Sequence, residues 1–304
     1  MKHPLLPILS LTLLLWTFGG PLSAQQDTPE FLLPQHQAYA DSVLSTLTLR
    51  EQIAQLLMPP IYAHATRENW EEMEQWVEAH QLGGVIAMQG APSPYRERLA
   101  RLQERSRIPL LVSTDAEWGL GMRIDSTRSW PRALTFGAAN DTSLTRAFGQ
   151  EVGRALQAAG MHVNFAPVVD VNSNPLNPVI GSRSFGSNTE WVGALGTAYA
   201  KGLQDARVLA TAKHFPGHGD TDADSHHDLP VIRHPRARLD SVELVPFRKL
   251  IGEGVGGVMA AHLSIPSLDS TPNLPSTLSR NIVNGILREE LGFKGLVFTD
   301  AMTM

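Results

Sequence analysis

Three observations predict an α/β fold of the TIM-type (β/α)8 barrel kind, truncated after its seventh strand. Seven short apolar runs alternate with helical patterns, the runs are apolar almost throughout, and polar residues gather just past their carboxyl ends. Runs without an apolar/polar alternation describe strands buried on both faces, as parallel sheets require. Asp115, Asp170, Lys213, His214, His262 and Asp300 stand at or just beyond such runs, which is where a barrel builds its active site. Strand order cannot be read from sequence, so an open doubly wound sheet remains the alternative.

In chain order, Lys2 and His3 precede an apolar run from Leu5 to Phe18 and small residues up to Ser23 and Ala24. The run is shorter than the ~20 residues that cross a bilayer. Residues 1–24 therefore read as a signal peptide, with an uncleaved anchor as the alternative because Leu22 is a mediocre residue three positions before the junction. The mature protein is expected to be exported, periplasmic or secreted, with no stable membrane insertion once the leader is removed. Residues 25–47 read as a lead-in and 48–304 as the barrel domain. The strands are expected at Ala54 to Met58, Gly84 to Met88, Pro109 to Thr114, Val163 to Val171, Val208 to Lys213, Gly257 to His262 and Gly295 to Thr299.

Two helices are best marked between them. Ser143 to Ala159 spaces Leu144, Phe148, Val152 and Leu156 four apart and stops at Gly160. Ser279 to Leu291 sets Ile282, Ile286 and Leu287 on one face and stops at Gly292. Met304 follows the seventh strand before the helix that should cover it, so further chain, including an additional C-terminal domain, is expected beyond it.

Composition narrows the function. The 304 residues include no cysteine, so burial and hydrogen bonds must hold the fold without disulfides. A hydrophobic content of 42% is ordinary for a globular chain of this size. With 25 basic and 30 acidic residues, a formal net charge of -5 and no basic run, the chain argues against nucleic acid as a partner.

The chemistry is concentrated between His214 and Asp228. Eight side chains that can carry or move a proton lie there: His214, His218, Asp220, Asp222, Asp224, His226, His227 and Asp228. A packed core has no use for such a density, which marks a functional segment. Pro216, Gly217 and Gly219 make it a loop. Asp300 ends the buried run from Gly295, although an aspartate there also suits a helix N-cap.

Lys213-His-Phe-Pro-Gly-His-Gly219 followed by Asp224-Ser-His226, then Met259-Ala-Ala-His262 and Phe298-Thr-Asp-Ala-Met302, resembles glycoside hydrolase family 3, and more narrowly its β-N-acetylhexosaminidase branch. Ser113-Thr-Asp-Ala-Glu117, Asn164-Phe-Ala-Pro-Val-Val-Asp170 and Gly181-Ser-Arg-Ser-Phe-Gly186 extend the resemblance from about Thr48 to the last residue. The resemblance implies a retaining glycosidase acting on terminal β-linked N-acetylglucosamine of cell-wall or chitin-type oligosaccharides, with no cofactor. It implies Asp300 as nucleophile, and His226 with Asp224 as the proton-transfer pair. Asp115, Arg123, Arg183, Lys213 and His214 are implied to hold the sugar hydroxyls. One departure is visible: after Asp115 many relatives have Gln-Glu-Gly-Gly, where this chain has Ala-Glu-Trp-Gly. It bears on the rim of the sugar pocket around Trp118.

Physical chemistry is consistent with these roles. A retaining glycosidase needs a carboxylate to capture the anomeric carbon and a second group that first donates and later removes a proton. Histidine, with an unperturbed pKa near ~6.5, does both at neutral pH. Three other readings stay open: phosphorolysis of the same glycosyl intermediate, a metal-dependent hydrolase using His214, His218, Asp220, Asp222, Asp224 and His226, and a silent sugar-binding protein. His218 reads as a structural hydrogen-bonder, Glu117 as a spare carboxylate suited to an arginine, and Asp170 and His262 as either braces or sugar contacts. Trp118 and Trp130 suit packing or sugar stacking.

Overall fold

The computed structural model describes residues 33–222 and 229–304. The expected leader over 1–24 and the expected pair Asp224 and His226 lie outside the described residues. α1 (Pro34–Ser45) buries none of its residues. α2 (Leu49–Ala54) is started by a reciprocal cap: Glu51 returns its carboxylate to the Thr48 amide at 2.7 Å while the Thr48 hydroxyl accepts from the Glu51 amide.

This cap corrects the first expected strand. Ala54 to Met58 is not extended: Ala54 closes α2, and Leu56 and Leu57 turn outward, 82% and 52% exposed. A short apolar run cannot by itself separate helix end from strand, and the Thr48-x-x-Glu51 signal decides for helix. The first strand, β1 (Pro60–Ile61), begins after that turn.

The chain then alternates: α3 (Arg67–His80), β2 (Gly84–Ala87), α4 (Pro92–Arg105), β3 (Leu111–Thr114), α5 (Ala133–Ala139), α6 (Thr142–Ala158), β4 (Val163–Asn164), α7 (Thr189–Asp205) and β5 (Leu209–Phe215). It continues with α8 (Arg236–Ser241), α9 (Leu244–Gly252), β6 (Gly257–Ala260), a π-helix at Asn281–Glu290 and β7 (Leu296–Thr299). All six strand pairings are parallel, in the order β1-β2-β3-β4-β5-β6-β7. A doubly wound sheet reverses its order at a switch point; this order never reverses.

The sheet curls. Val163, Phe165 and Met259 form one buried cluster, with Ile86, Leu209 and Phe298 packed against it. The Phe165 and Phe298 rings meet edge to face with centroids 5.1 Å apart. Side chains around β4 and β7, three strands apart in the order, meet only if the sheet bends round an interior, as in the expected barrel. Among the described residues β7 has one strand neighbour, and it is correspondingly half-exposed rather than buried on both faces.

α6 and α7 pack over the outside. A Cβ on Gly202 would stand 2.2 Å from the Arg146 carbonyl oxygen, and one on Gly149 2.4 Å from that of Tyr199, so the two backbones touch through glycine. Phe148, Val152 and Leu156 are buried as their spacing predicts, whereas Leu144, in the first turn, is 49% exposed. Gly160 and Gly292 end their helices at positive φ, 75° and 69°. The second expected helix is wound more loosely than expected, with the Leu291 amide donating to the Ile286 carbonyl.

β4 is also shorter than the expected Val163 to Val171. Pro167 has no N–H to continue a ladder, and beyond it the chain runs beside β5 by single contacts: the Val169 amide donates to the Lys213 carbonyl at 2.8 Å. No helix among the described residues is long and apolar enough to cross a membrane.

Candidate active site

The carboxyl ends of β3 and β5, with the stretches that follow β3 and β4, bring five of the expected residues into one buried network. Asp115 follows β3 directly. Its Oδ1 accepts from Lys213 Nζ at 2.8 Å and its Oδ2 from Arg123 Nη2 at 2.6 Å. Lys213 Nζ also lies 2.9 Å from Glu117 Oε1. Arg183 grips Glu117 with two parallel bonds, Nη2 to Oε1 at 2.7 Å and Nε to Oε2 at 3.0 Å, the geometry a planar guanidinium favours. Arg183 Nη2 continues to His214 Nε2 at 3.3 Å, and His214 Nδ1 stands 2.7 Å from Asp170 Oδ2.

Three cations, Arg123, Lys213 and Arg183, thus face three carboxylates, Asp115, Glu117 and Asp170. Burial alone would raise the Asp115 and Glu117 carboxyls, but Lys213 together with Arg123 or Arg183 overcomes it and holds both below the usual range. Burial would likewise lower the Lys213 ammonium, yet Asp115 and Glu117 raise it. Charges packed this way are tolerable because each has a partner.

The backbone beneath is clamped. Asn164 Oδ1 accepts from the Ala116 amide at 2.9 Å, its Nδ2 donates to the Ala116 carbonyl at 3.2 Å, and the Tyr199 hydroxyl donates to the same carbonyl at 3.1 Å. Glu117, read in the sequence as a spare carboxylate suited to an arginine, has its arginine in Arg183 and is shared by Lys213 as well. Asn164 opened a motif of the resemblance but was given no role there, and Tyr199 carried no sequence signal. Both are uncharged and lie in apolar runs, and only the fold reveals what they hold.

Asp170 is a brace. Its Oδ1 accepts the backbone amides of His214 at 3.1 Å and His218 at 2.7 Å, and it is fully buried. Burial pushes its carboxyl up, but the His214 ring, then the His218 ring and the His218 amide, outweigh that and lower it. The His218 ring, lowered chiefly by burial and then by His214, has its Nδ1 2.8 Å from Thr221 Oγ1. On its Nδ1 side His218 thus bonds within its own turn, the kind of contact that turn suggested. Trp118 is covered by the Arg132 guanidinium, 4.5 Å from the ring centroid, and Arg132 Nη1 donates to Ser182 Oγ at 3.1 Å. Trp130 packs on Phe148.

Asp300 stands one residue past β7. Its amide donates to the Ala260 carbonyl at 2.9 Å, so it is still extended, and strand alternation puts it on the face of Phe298, whose ring is in the interior. His262 fixes the chain beyond it: His262 Nε2 donates to the Ala301 carbonyl at 3.0 Å and Nδ1 faces Thr277 Oγ1 at 2.8 Å. The Asp300 carboxylate is near enough to act electrostatically on the His218 ring. It opens at the same end of the sheet as the network.

His214 and Asp220, two of the metal-type donors, have other partners. His214 is taken by Asp170 and Arg183, Asp220 is bonded to His234, and among the described residues no group of three or more histidine or acidic side chains could hold a metal ion. The segment bearing Asp224 and His226 is bounded on both sides by anchors at the carboxyl end. Before it, Asn177 Nδ2 donates to the His218 carbonyl at 2.8 Å; after it, the Ser264 amide donates to the Pro230 carbonyl at 2.9 Å, just past β6.

Residues 48–304 match the family model described as the glycosyl hydrolase family 3 N terminal domain. Over 221 residues the chain is 39% identical to beta-hexosaminidase A of Pseudoalteromonas piscicida, covering 67% of this chain and 37% of that protein. A family 3 beta-N-acetylglucosaminidase from Paenibacillus sp. str. FPU-7 superposes with a TM-score of 0.78 at 41% identity, covering 85% of this chain and 50% of that one. A beta-glucoside phosphorylase bound to 2FGlc superposes with a TM-score of 0.85 at 26% identity, covering 91% of this chain and 51% of that one. The chain thus spans between 37% and 51% of the length of these relatives.

Proposed function

Since this chain belongs to glycosyl hydrolase family 3 through its N-terminal domain, we propose that it is the catalytic barrel of an exported, retaining β-N-acetylhexosaminidase acting on terminal N-acetylglucosamine of cell-wall or chitin-type oligosaccharides. The observation that carries the reading is the meeting, at one end of the sheet, of a charge-balanced polar pocket and a separate, half-exposed carboxylate at Asp300. A neutral, hydroxyl-rich ring needs paired donors and acceptors rather than net charge. Asp115, Lys213, Arg183 and His214 supply them, and Arg123 adds a buried Nε–H without a partner among the described residues.

In the proposed reaction an Asp300 carboxylate oxygen attacks the anomeric carbon as the glycosidic C–O bond breaks. The leaving oxygen takes a proton from His226, whose cationic form Asp224 stabilises. Neutral His226 then removes a proton from water, the water oxygen bonds to the anomeric carbon, and Asp300 is released. The anchors on both sides of residues 223–228 support the delivery of His226 to this end of the barrel. Export, and with it a periplasmic or cell-wall setting, rests on the leader-like residues 1–24, and a further C-terminal domain on the greater length of the relatives.

Phosphorolysis is the weaker reading. Identity is 39% and 41% to the hexosaminidase and glucosaminidase relatives but 26% to the phosphorylase. The test is hydrolysis of an aryl N-acetyl-β-glucosaminide by the full-length protein and its Asp300→Ala variant, with product analysis in the presence and absence of phosphate. Free N-acetylglucosamine from the unsubstituted protein and none from the variant is expected. A phosphate-dependent sugar phosphate would replace the hydrolase reading, and turnover surviving the substitution would refute the nucleophile.

A further inference from the structure

Arg183 and His214 face each other across 3.3 Å, from Nη2 to Nε2. A guanidinium nitrogen can only donate, so His214 Nε2 must present its lone pair and carry the ring proton on Nδ1. Both sides of this contact hang on one residue. The Asp170 carboxylate receives His214 Nδ1 at 2.7 Å and the His214 amide at 3.1 Å. Its backbone carbonyl receives the Ser184 hydroxyl at 2.6 Å, and Ser184 is the residue after Arg183. Through the His218 amide, at 2.7 Å, the same carboxylate closes the turn over residues 214–218.

We propose that Asp170 is a positioning residue for the pocket: it selects the Nδ1–H tautomer of His214, which leaves the Nε2 lone pair to accept from Arg183 and so sets the guanidinium that also grips Glu117. Its kinetic consequence rests on the reading of the pocket as a sugar site, whereas the tautomer does not.

A brace for the turn alone needs only one acceptor oxygen, because both amides bond to Oδ1. Selection of a tautomer needs the second oxygen as an acceptor too. Asp170→Asn separates the two roles. The asparagine carbonyl can still take both amides, but its NH2 group faces His214 Nδ1 and can only donate. The ring proton is then driven to Nε2, donor against donor with Arg183.

The experiment uses the full-length protein labelled with 15N-histidine, reading the His214 ring by two-bond 1H–15N correlation, together with kinetics on aryl glycosides of differing leaving group. The unsubstituted protein should show Nδ1–H at His214. Asp170→Asn should show Nε2–H, retain its circular dichroism, and lose roughly 10- to 100-fold in kcat/KM for every leaving group alike, as expected when a buried pair is mismatched away from the departing oxygen. Nε2–H in the unsubstituted protein overturns the proposal even if the variant fails to fold. So does a variant that keeps the Nδ1–H tautomer, or one whose kcat/KM falls by less than about twofold. If the unsubstituted protein cleaves no glycoside, the sugar-site reading fails, and the tautomer measurements still decide the positioning role.

Discussion

Replacing Glu117 by glutamine tests whether the buried network is held by charge pairing. Glu117 is 8% exposed and lies within hydrogen-bond distance of three donor atoms: Arg183 Nη2 and Nε, and Lys213 Nζ. A glutamine placed with its oxygen at Oε1 keeps two of these contacts, while its NH2 faces Arg183 Nε and the network is left with one cation in excess. Breaking a buried pair costs ~3–5 kcal/mol; with two contacts retained, we expect about 3 kcal/mol at pH 7, or a melting temperature lower by roughly 6–12 °C.

The pH dependence has a definite sign. The Glu117 carboxyl is held well below its ordinary value of 4.5 in the folded chain, so its contribution is full above about 4.5 and is lost as pH falls. At pH 3 the unfolded carboxyl is protonated and the folded one is not, a difference of about 1.5 pH units or ~2 kcal/mol. The gap between the two proteins, measured by urea unfolding, should therefore shrink from about 3 kcal/mol at pH 7 to about 1 kcal/mol at pH 3. A gap below ~1 kcal/mol at pH 7, or one that does not change with pH, would refute the reasoning.

Two further outcomes are expected. His226→Ala in the full-length protein should cost about 100-fold or more on glycosides with poor leaving groups, while sparing the glycosylation step of those whose leaving group needs no proton; equal loss across a leaving-group series would remove the acid role. Gly202→Ala should destabilise the α6–α7 contact by ~1–3 kcal/mol, because its Cβ would meet the Arg146 carbonyl oxygen at 2.2 Å; an unchanged urea midpoint would mean that the helices separate freely.

Much of the site was legible because its residues are charged, punctual and attached to apolar runs. Asp115 and Asp300 follow their strands directly, and Lys213 and His214 stand in the last three residues of β5, each within a residue or so of where the apolar run stops. Arg183 was legible only through the resemblance, since a lone arginine in a serine- and glycine-containing turn carries no pattern. The bracing role of Asp170 could not be chosen over a sugar contact, because its partners, the amides of His214 and His218, are 44 and 48 residues away and backbone groups have no sequence identity. The first strand was misplaced for a different reason: Leu56 and Leu57 look buried by composition, but the Thr48 and Glu51 cap starts the helix that takes in Ala54, and the turn after it leaves Leu56 and Leu57 in solvent. β4 was overextended because Val168 and Val169 are buried like strand residues while Pro167 prevents a continuous ladder.

The edge-to-face meeting of Phe165 and Phe298 has a consequence for how such a protein can change. Phe298 is two residues from Asp300 on the same face, so the volume filled by Phe165 helps decide how far the carboxylate stands out of the mouth. A substitution deep in the interior, touching no ligand, can then raise or sink that carboxylate by fractions of an ångström. The reactivity of the cleft is to that extent adjustable from beneath its floor.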